Sequence, residues 1–391
     1  MNILLTPARI GSLEIPNRIV MPPMTTRTAD EEGYVTDDTV AYYLARAQGG
    51  VGLITVEMAS PEKAGRHRRR EVGIYDDRFV PGFTRLIDAI HRAGAKASIQ
   101  LGHGGGHTRR DICGETPIAP SAIPHPVYET TLETIVPEEM TKARIEAVIA
   151  AHAAAAGRAR QAGFDCVEIH AAHGYLISQF HAPFENRRTD TYGGSLENRA
   201  RFGLEVLRAV KAAVAEMPVV YRLSVEDFFP GGLPFSEGRQ IAVWAAQAGA
   251  DALHVTAGHY RSLPSAQIVL PPMTFPDALF LDLAAAVKKL VGVPVIAVGR
   301  LGLQPRRSPP EKPISSRSGG RLSPSRDGSK SSPAPSRSGG ALPATPALMR
   351  CAAGRRSVVL SMLRRVAKDF SPIADRDRAS VSPSSAPDPR A

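Results

Sequence analysis

Cysteine is nearly absent from this 391-residue chain: Cys113, Cys166 and Cys351 are far apart and odd in number. They provide neither a disulfide framework nor the paired CxxC spacing of a metal site. No apolar run reaches the roughly 18 residues that a membrane-spanning helix needs. The opening, MNILLTPARIG, lacks a basic segment leading into a long apolar core, as a secretory signal would have. These absences lead to the expectation of a soluble protein in a reducing, cytoplasmic setting, with no membrane partner.

Charge excess is also missing from most of the chain. Residues 1–302 carry 31 Lys+Arg against 32 Asp+Glu, whereas residues 303–391 carry 17 against 6. The formal net charge of +10 therefore belongs to the tail. That tail, beginning LQPRRSPPEKPISSRSGG, is rich in Ser, Pro, Gly and Arg and poor in aliphatic residues. Such a composition buries too little apolar surface to fold by itself. Without a shaped basic face it gives no support for specific nucleic-acid recognition.

Short apolar segments alternate with helical patterns over the first 300 or so residues. Strands are predicted at Ile19–Met21, Val51–Val56, Ala95–Leu101, Cys166–His170, Val219–Ser224, Ala252–Thr256 and Pro294–Val298. Helices are predicted at Arg78–Ala93, Lys142–Ala162, Leu196–Ala215, Ser236–Ala248 and Pro276–Leu290. Crossovers of this length join parallel strands. Polar residues recur at strand ends all along the chain, which favours an α/β TIM (β/α)8 barrel over an open sheet with one switch point.

The pattern stops after strand seven. The expected organisation is a barrel domain, 1–302, lacking its final unit, followed by a basic tail, 303–391, without stable order. Within the tail, Cys351–Lys368 carries a weak helical pattern. A shift of reading frame would explain the abrupt change at Leu303, and a genuine interaction tail is the rival explanation. An open barrel leaves two sheet edges bare, so self-association into a homo-oligomer is a further expectation.

The densest chemistry lies in VEIHAAHGYLISQFHAPFENRRTDTYGGSLENRARF, residues 167–202. It ends a strand and then sets out His170, His173 and Tyr175. Two histidines three apart can bind metal, but no suitable third ligand lies nearby in sequence. Alone, they are as readily structural histidines, and Tyr175 a packing residue. Arg222 sits inside an apolar strand, where a cation is costly unless paired. Gln100 ends the third strand with an amide that both donates and accepts, although polar packing at a barrel rim is an equal alternative. Thr25, taken alone, reads as an ordinary strand-end cap or turn residue.

Taken in order, LLTPARIGSLEIPNRIVMPPM, GLITVE, SIQLGHGG, VEIHAAHGYL, YRLS and VIAVGR resemble the FMN-dependent old yellow enzyme family. The similarity covers residues 4–302 and is greatest to the bacterial ene-reductases and 2,4-dienoyl-CoA reductase-like oxidoreductases. It implies FMN at the C-terminal face of the barrel. Pro23, Met24 and Thr25 would wrap the isoalloxazine, Gln100 would pair with its pyrimidine edge, and Arg222 would stabilise charge at N1/C2=O. Gly299 and Arg300 would begin a phosphate cup whose second half is missing.

The resemblance also implies that His170 and His173 hold the activating oxygen of an electrophilic alkene, an enone or enoyl thioester. Tyr175 would deliver the proton, and NAD(P)H would be the reductant. Two alternatives remain: amine dehydrogenation or N-demethylation on the same barrel, and a catalytically inert truncated domain with an interaction tail. No metal and no iron–sulfur cluster is expected, since Cys351 alone cannot hold the cluster found in longer relatives. Arg27 departs from a tyrosine in some relatives; it biases the pocket toward anionic acceptors or faces solvent. The basic run His67–Arg70 reads as a solvated face rather than a CoA-phosphate contact.

Overall fold

The computed structural model describes residues 2–126, 134–301 and 349–352. Seven parallel strands form the barrel wall: β1 (Ile19–Met21), β2 (Leu53–Ala59), β3 (Lys96–Leu101), β4 (Cys166–Ala171), β5 (Val219–Ser224), β6 (Ala252–Thr256) and β7 (Val295–Ala297). All are the expected strands. Every position of β2, β4, β5 and β6 is buried, as it must be in parallel strands covered by helices outside and filled within.

Between β7 and β1, where the sequence predicts a gap, lies β8 (Met349–Ala352). It runs antiparallel to both neighbours and closes the ring. The seven parallel strands match the expected truncated (β/α)8 barrel, and a strand of opposite sense occupies the eighth place. A parallel strand would need a further crossover, whereas an antiparallel one pairs with the two edges directly. Cys351, placed at the start of a weak helical pattern, belongs to β8. The rest of that segment, and most of the predicted tail, lies outside the described residues.

Besides shorter helices in some of the loops, one long helix follows each of β1 to β6: α1 (Asp37–Gln48), α2 (Val80–Arg92), α3 (Lys142–Ala162), α4 (Leu196–Val214), α5 (Phe235–Gln247) and α6 (Leu281–Lys288). The first of them was not expected. Thr36 starts it with a capping box, its hydroxyl accepting from the Thr39 amide while Thr39 answers the Thr36 amide. The alanine-rich α3 matches its predicted bounds. Thr141 caps its first turn, and Gly163 ends it at φ 94°, a left-handed conformation that favours glycine. Among the described residues, no helix is long and apolar enough to cross a membrane.

Two apolar layers fix the barrel. Outward residues such as Ile54, Ile99, Ile169 and Val255 pack on helix residues including Leu86, Val148, Val206 and Ile241. Inward residues at the strand beginnings, Val20, Leu53, Cys166, Val220 and Ala252, pack against Ile10 and Ile15 of a hairpin formed by Ala8–Ile10 and Leu13–Ile15. Strand side chains alternate, so positions two and four residues further along point inward again. That register brings Glu57, Gln100, Glu168, His170, Arg222, His254 and Thr256 toward the C-terminal end.

Candidate active site

The deepest polar layer is a chain of hydrogen bonds. Gln100 Nε2 donates to Glu168 Oε1 at 2.7 Å, and His254 Nδ1 lies 2.7 Å from Glu168 Oε2. Burial alone would raise Glu168, but His254, Arg222 and Gln100 outweigh it and hold the carboxyl below its ordinary value. Burial also pushes His254 down to about 4, against the pull of Glu168, so a neutral ring donates to an ionised carboxylate. Arg222 stands in register with His170 on one side and His254 on the other. Its Nε is buried with no hydrogen-bond partner, and burial lowers its pKa.

His170 and His173 form the next layer, with ring centroids 5.2 Å apart. The His173 backbone takes φ 65°, and its N–H donates to Ser224 Oγ at 3.0 Å. Its Nε2 lies 3.0 Å from Thr256 Oγ1, which fixes the ring. His170 Nδ1 is buried without a partner. Burial, then Arg222, pushes both histidines well below the ordinary imidazole value, so both are neutral. Gly102 permits this crowding: a Cβ there would lie 2.5 Å from Met58 Sδ and 2.9 Å from His170 Cβ.

Tyr175 packs against His170, with centroids 4.9 Å apart. Its hydroxyl makes no hydrogen bond to the described residues, and burial raises its pKa well above the phenolic value. Around its ring lie His67 at 4.9 Å, His107 at 5.5 Å and Tyr260 at 5.8 Å. His67 corrects the solvated-face expectation. It is 2% exposed, and its Nδ1 lies 2.6 Å from Glu71 Oε2; Arg69 and Arg70 are the exposed part of that run. The contact with a carboxylate four residues on accompanies this burial.

The loop after β1 carries Pro23, which is buried, Met24, which is half-buried, and Thr25, which is exposed. Glu57 anchors its far side: Oε2 accepts from the Thr26 amide at 2.9 Å and Oε1 from the Thr26 hydroxyl. Arg27 is exposed. After β7, Gly299 takes φ 103° and Arg300 φ 49°. Arg300 pairs with Asp277 at 2.9 Å while its Nε is buried without a partner. The structure thus gathers Gln100, Arg222, His170, His173 and Tyr175 into one cluster. It sets Thr25 and Arg300 on loops at the same barrel end, after β1 and β7.

Sequence reasoning missed Glu168, His254, Glu57, His67, His107 and Tyr260. Glu168 is two residues before His170, so strand alternation alone would put it on the same face.

The cluster offers buried donors that no group among the described residues answers: Arg222 Nε, His170 Nδ1 and, on the β7 loop, Arg300 Nε. A flat heterocycle rich in acceptors, with a phosphate tail, suits these donors, so the residues present fit FMN. The expectation that the phosphate cup lacks its second half concerns sequence outside the described residues.

Barrel and site together define an oxidoreductase of the flavin-binding TIM-barrel class. Residues 3–308 match the NADH:flavin oxidoreductase / NADH oxidase family, and the chain belongs to it. It is 44% identical over 299 residues to an NADH oxidase of Thermoanaerobacter brockii, a match covering 76% of this chain and 45% of that protein. To an NADPH dehydrogenase of Listeria monocytogenes it is 37% identical over 304 residues, covering 78% and 84% respectively. A 2-naphthoyl-CoA reductase structure superposes with a TM-score of 0.69 at 30% identity, covering 75% of this chain and 46% of that one. An old yellow enzyme homologue from Zymomonas mobilis superposes with a TM-score of 0.65 at 28% identity, covering 75% and 81%. The chain spans less than half the length of the NADH oxidase, and the same holds for a metal reductase of Desulforamulus reducens.

Proposed function

We propose that the chain is an FMN-dependent NAD(P)H oxidoreductase that reduces the C=C bond of a small activated alkene, an enone or enoyl thioester. The observation that carries this reading is the grouping of two neutral, buried imidazoles with an unbonded phenol at the C-terminal barrel end. Gln100, Arg222 and the Pro23–Thr25 loop would hold the flavin ring, and Gly299 with Arg300 would hold part of its phosphate. Bound there, FMN would supply the hydride-transfer chemistry.

The chain's own residues divide the remaining work. Arg222 would hold a fixed positive charge against the flavin ring, where it would stabilise negative charge. His170 and His173 donate to the acceptor's carbonyl oxygen and draw electron density from its β-carbon. For His173 this requires Thr256 to donate to Nε2, leaving the proton on Nδ1. Tyr175, kept protonated by burial, delivers a proton to the α-carbon. Burial of the whole cluster excludes water and strengthens each of these interactions.

A second reading has one supporting observation. A histamine dehydrogenase from Rhizobium sp. 4-9 superposes with a TM-score of 0.67 at 28% identity, covering 75% of this chain and 42% of that one. Neutral imidazoles flanked by Arg222 suit an oxygen acceptor better than a cationic amine, which favours alkene reduction.

The test is anaerobic turnover of FMN-loaded protein with NADPH or NADH and 2-cyclohexenone, followed by product analysis. The expected product is cyclohexanone. Tyr175→Phe is expected to slow its formation by roughly 100-fold or more, as loss of a general acid does, with flavin reduction retained. Oxidation of an N-methylated amine without enone reduction would instead support the second reading.

A further inference from the structure

His107 lies on the loop after β3, against both Tyr175 and Tyr260, and the proposed chemistry makes no use of it. It is 2% exposed, and neither Nδ1 nor Nε2 has a hydrogen-bond partner among the described residues. Its ring stacks on Tyr260, with centroids 5.0 Å apart and planes 6° apart, and meets Tyr175 and His125 edge-on at 5.5 Å and 5.1 Å. Tyr260 is itself held by its neighbours. Glu185 Oε2 lies 2.9 Å from His259 Nε2, and Glu185 Oε1 accepts from Arg261 at 3.1 Å. The segment against which His107 stacks is therefore braced.

Leaving both nitrogens of a buried imidazole unanswered costs about as much as losing two hydrogen bonds. Packing does not explain the cost, since a phenyl ring would stack on Tyr260 equally well. Burial, then His125 and Arg68, pushes His107 well below the ordinary imidazole value, so the ring is neutral with one N–H to donate. That donor suits a carbonyl oxygen.

We propose that His107 contacts the substrate: its imidazole donates to a second polar group of the bound alkene, beyond the carbonyl held by His170 and His173. The preferred acceptors are then alkenes with two hydrogen-bond acceptors flanking the reacting bond, such as ene-diones and ene-dicarbonyl acyl compounds. The inference rests on the alkene-reductase reading for the position of the first carbonyl.

The experiment measures binding as well as turnover on the full FMN-loaded chain. Titration calorimetry compares cyclohexane-1,4-dione with cyclohexanone, which cannot react, and kinetics compare 2-cyclohexene-1,4-dione with 2-cyclohexenone. In the unmodified protein the dione binds more tightly. His107→Phe, which keeps the stack, is expected to cut the dione-to-ketone ratio of affinities and of kcat/KM by roughly tenfold, and His107→Gln is expected to restore part of it. A ratio unchanged in His107→Phe, as if water alone answered those nitrogens, would overturn the proposal. A binding ratio that shifts as expected in a protein that reduces neither alkene would support the His107 contact and count against alkene reduction.

Discussion

Glu57 gives the sharpest quantitative test of how the loop after β1, proposed to face the flavin, is held. Its carboxylate is 1% exposed and accepts from both the amide and the hydroxyl of Thr26, immediately beyond Thr25. Burial pushes its pKa up to about 7 from 4.5, outweighing the Thr26 hydrogen bonds that act in the opposite direction. A carboxyl whose pKa is higher in the folded than in the unfolded state binds more protons when folded. Its contribution to stability is complete below about pH 4.5 and is lost as pH rises through about 7. The interval corresponds to on the order of 3 kcal/mol.

Glu57→Gln keeps the shape and an acceptor for the Thr26 amide but cannot titrate. Urea unfolding of both proteins from pH 5 to pH 8, with FMN absent, isolates the effect as a difference. The unmodified protein is expected to lose stability relative to Glu57→Gln across that window, by up to about 3 kcal/mol. Parallel curves would refute the reasoning, because they would mean that Glu57 does not change its protonation on folding.

Two other perturbations follow from the same geometry. Arg222→Gln removes the buried cation proposed to face the flavin ring; FMN affinity, measured by quenching of flavin fluorescence, is expected to fall about tenfold or more, as losing a charged hydrogen bond of ~1.5–3 kcal/mol does. Gly102→Ala drives a Cβ to within 2.9 Å of His170 Cβ. It is expected to destabilise by about 1–3 kcal/mol in urea and to lower enone turnover further, through displacement of His170.

The barrel was legible because parallel strands covered on both sides are written as short unbroken apolar runs, and β5 and β6 match their predicted bounds. Helix α1 was not, since DDTVAYYLARAQ shows only a weak apolar stripe and its main signal is the Thr36 cap. Strand β8 was illegible for a different reason. Four residues carry no period, and their pairing is imposed by two open edges far away in sequence. In the site, His170, His173 and Tyr175 were legible as one motif. The burial of His67 and the stacking of His107 on Tyr260 depend on loops from β2, β3 and β6 meeting, which no local pattern records.

The central claim is that this barrel holds FMN and passes reducing equivalents from a nicotinamide to an activated alkene. The most direct measurement is the absorbance spectrum of the purified chain under anaerobic conditions, taken first alone, then with NADPH or NADH, then with 2-cyclohexenone, with the released flavin identified by chromatography. The account predicts oxidised-flavin bands near about 370 and 450 nm that bleach with the nicotinamide and return with the enone. A folded but colourless protein that added FMN cannot reconstitute, or bands that bleach and never return with the enone, would contradict it.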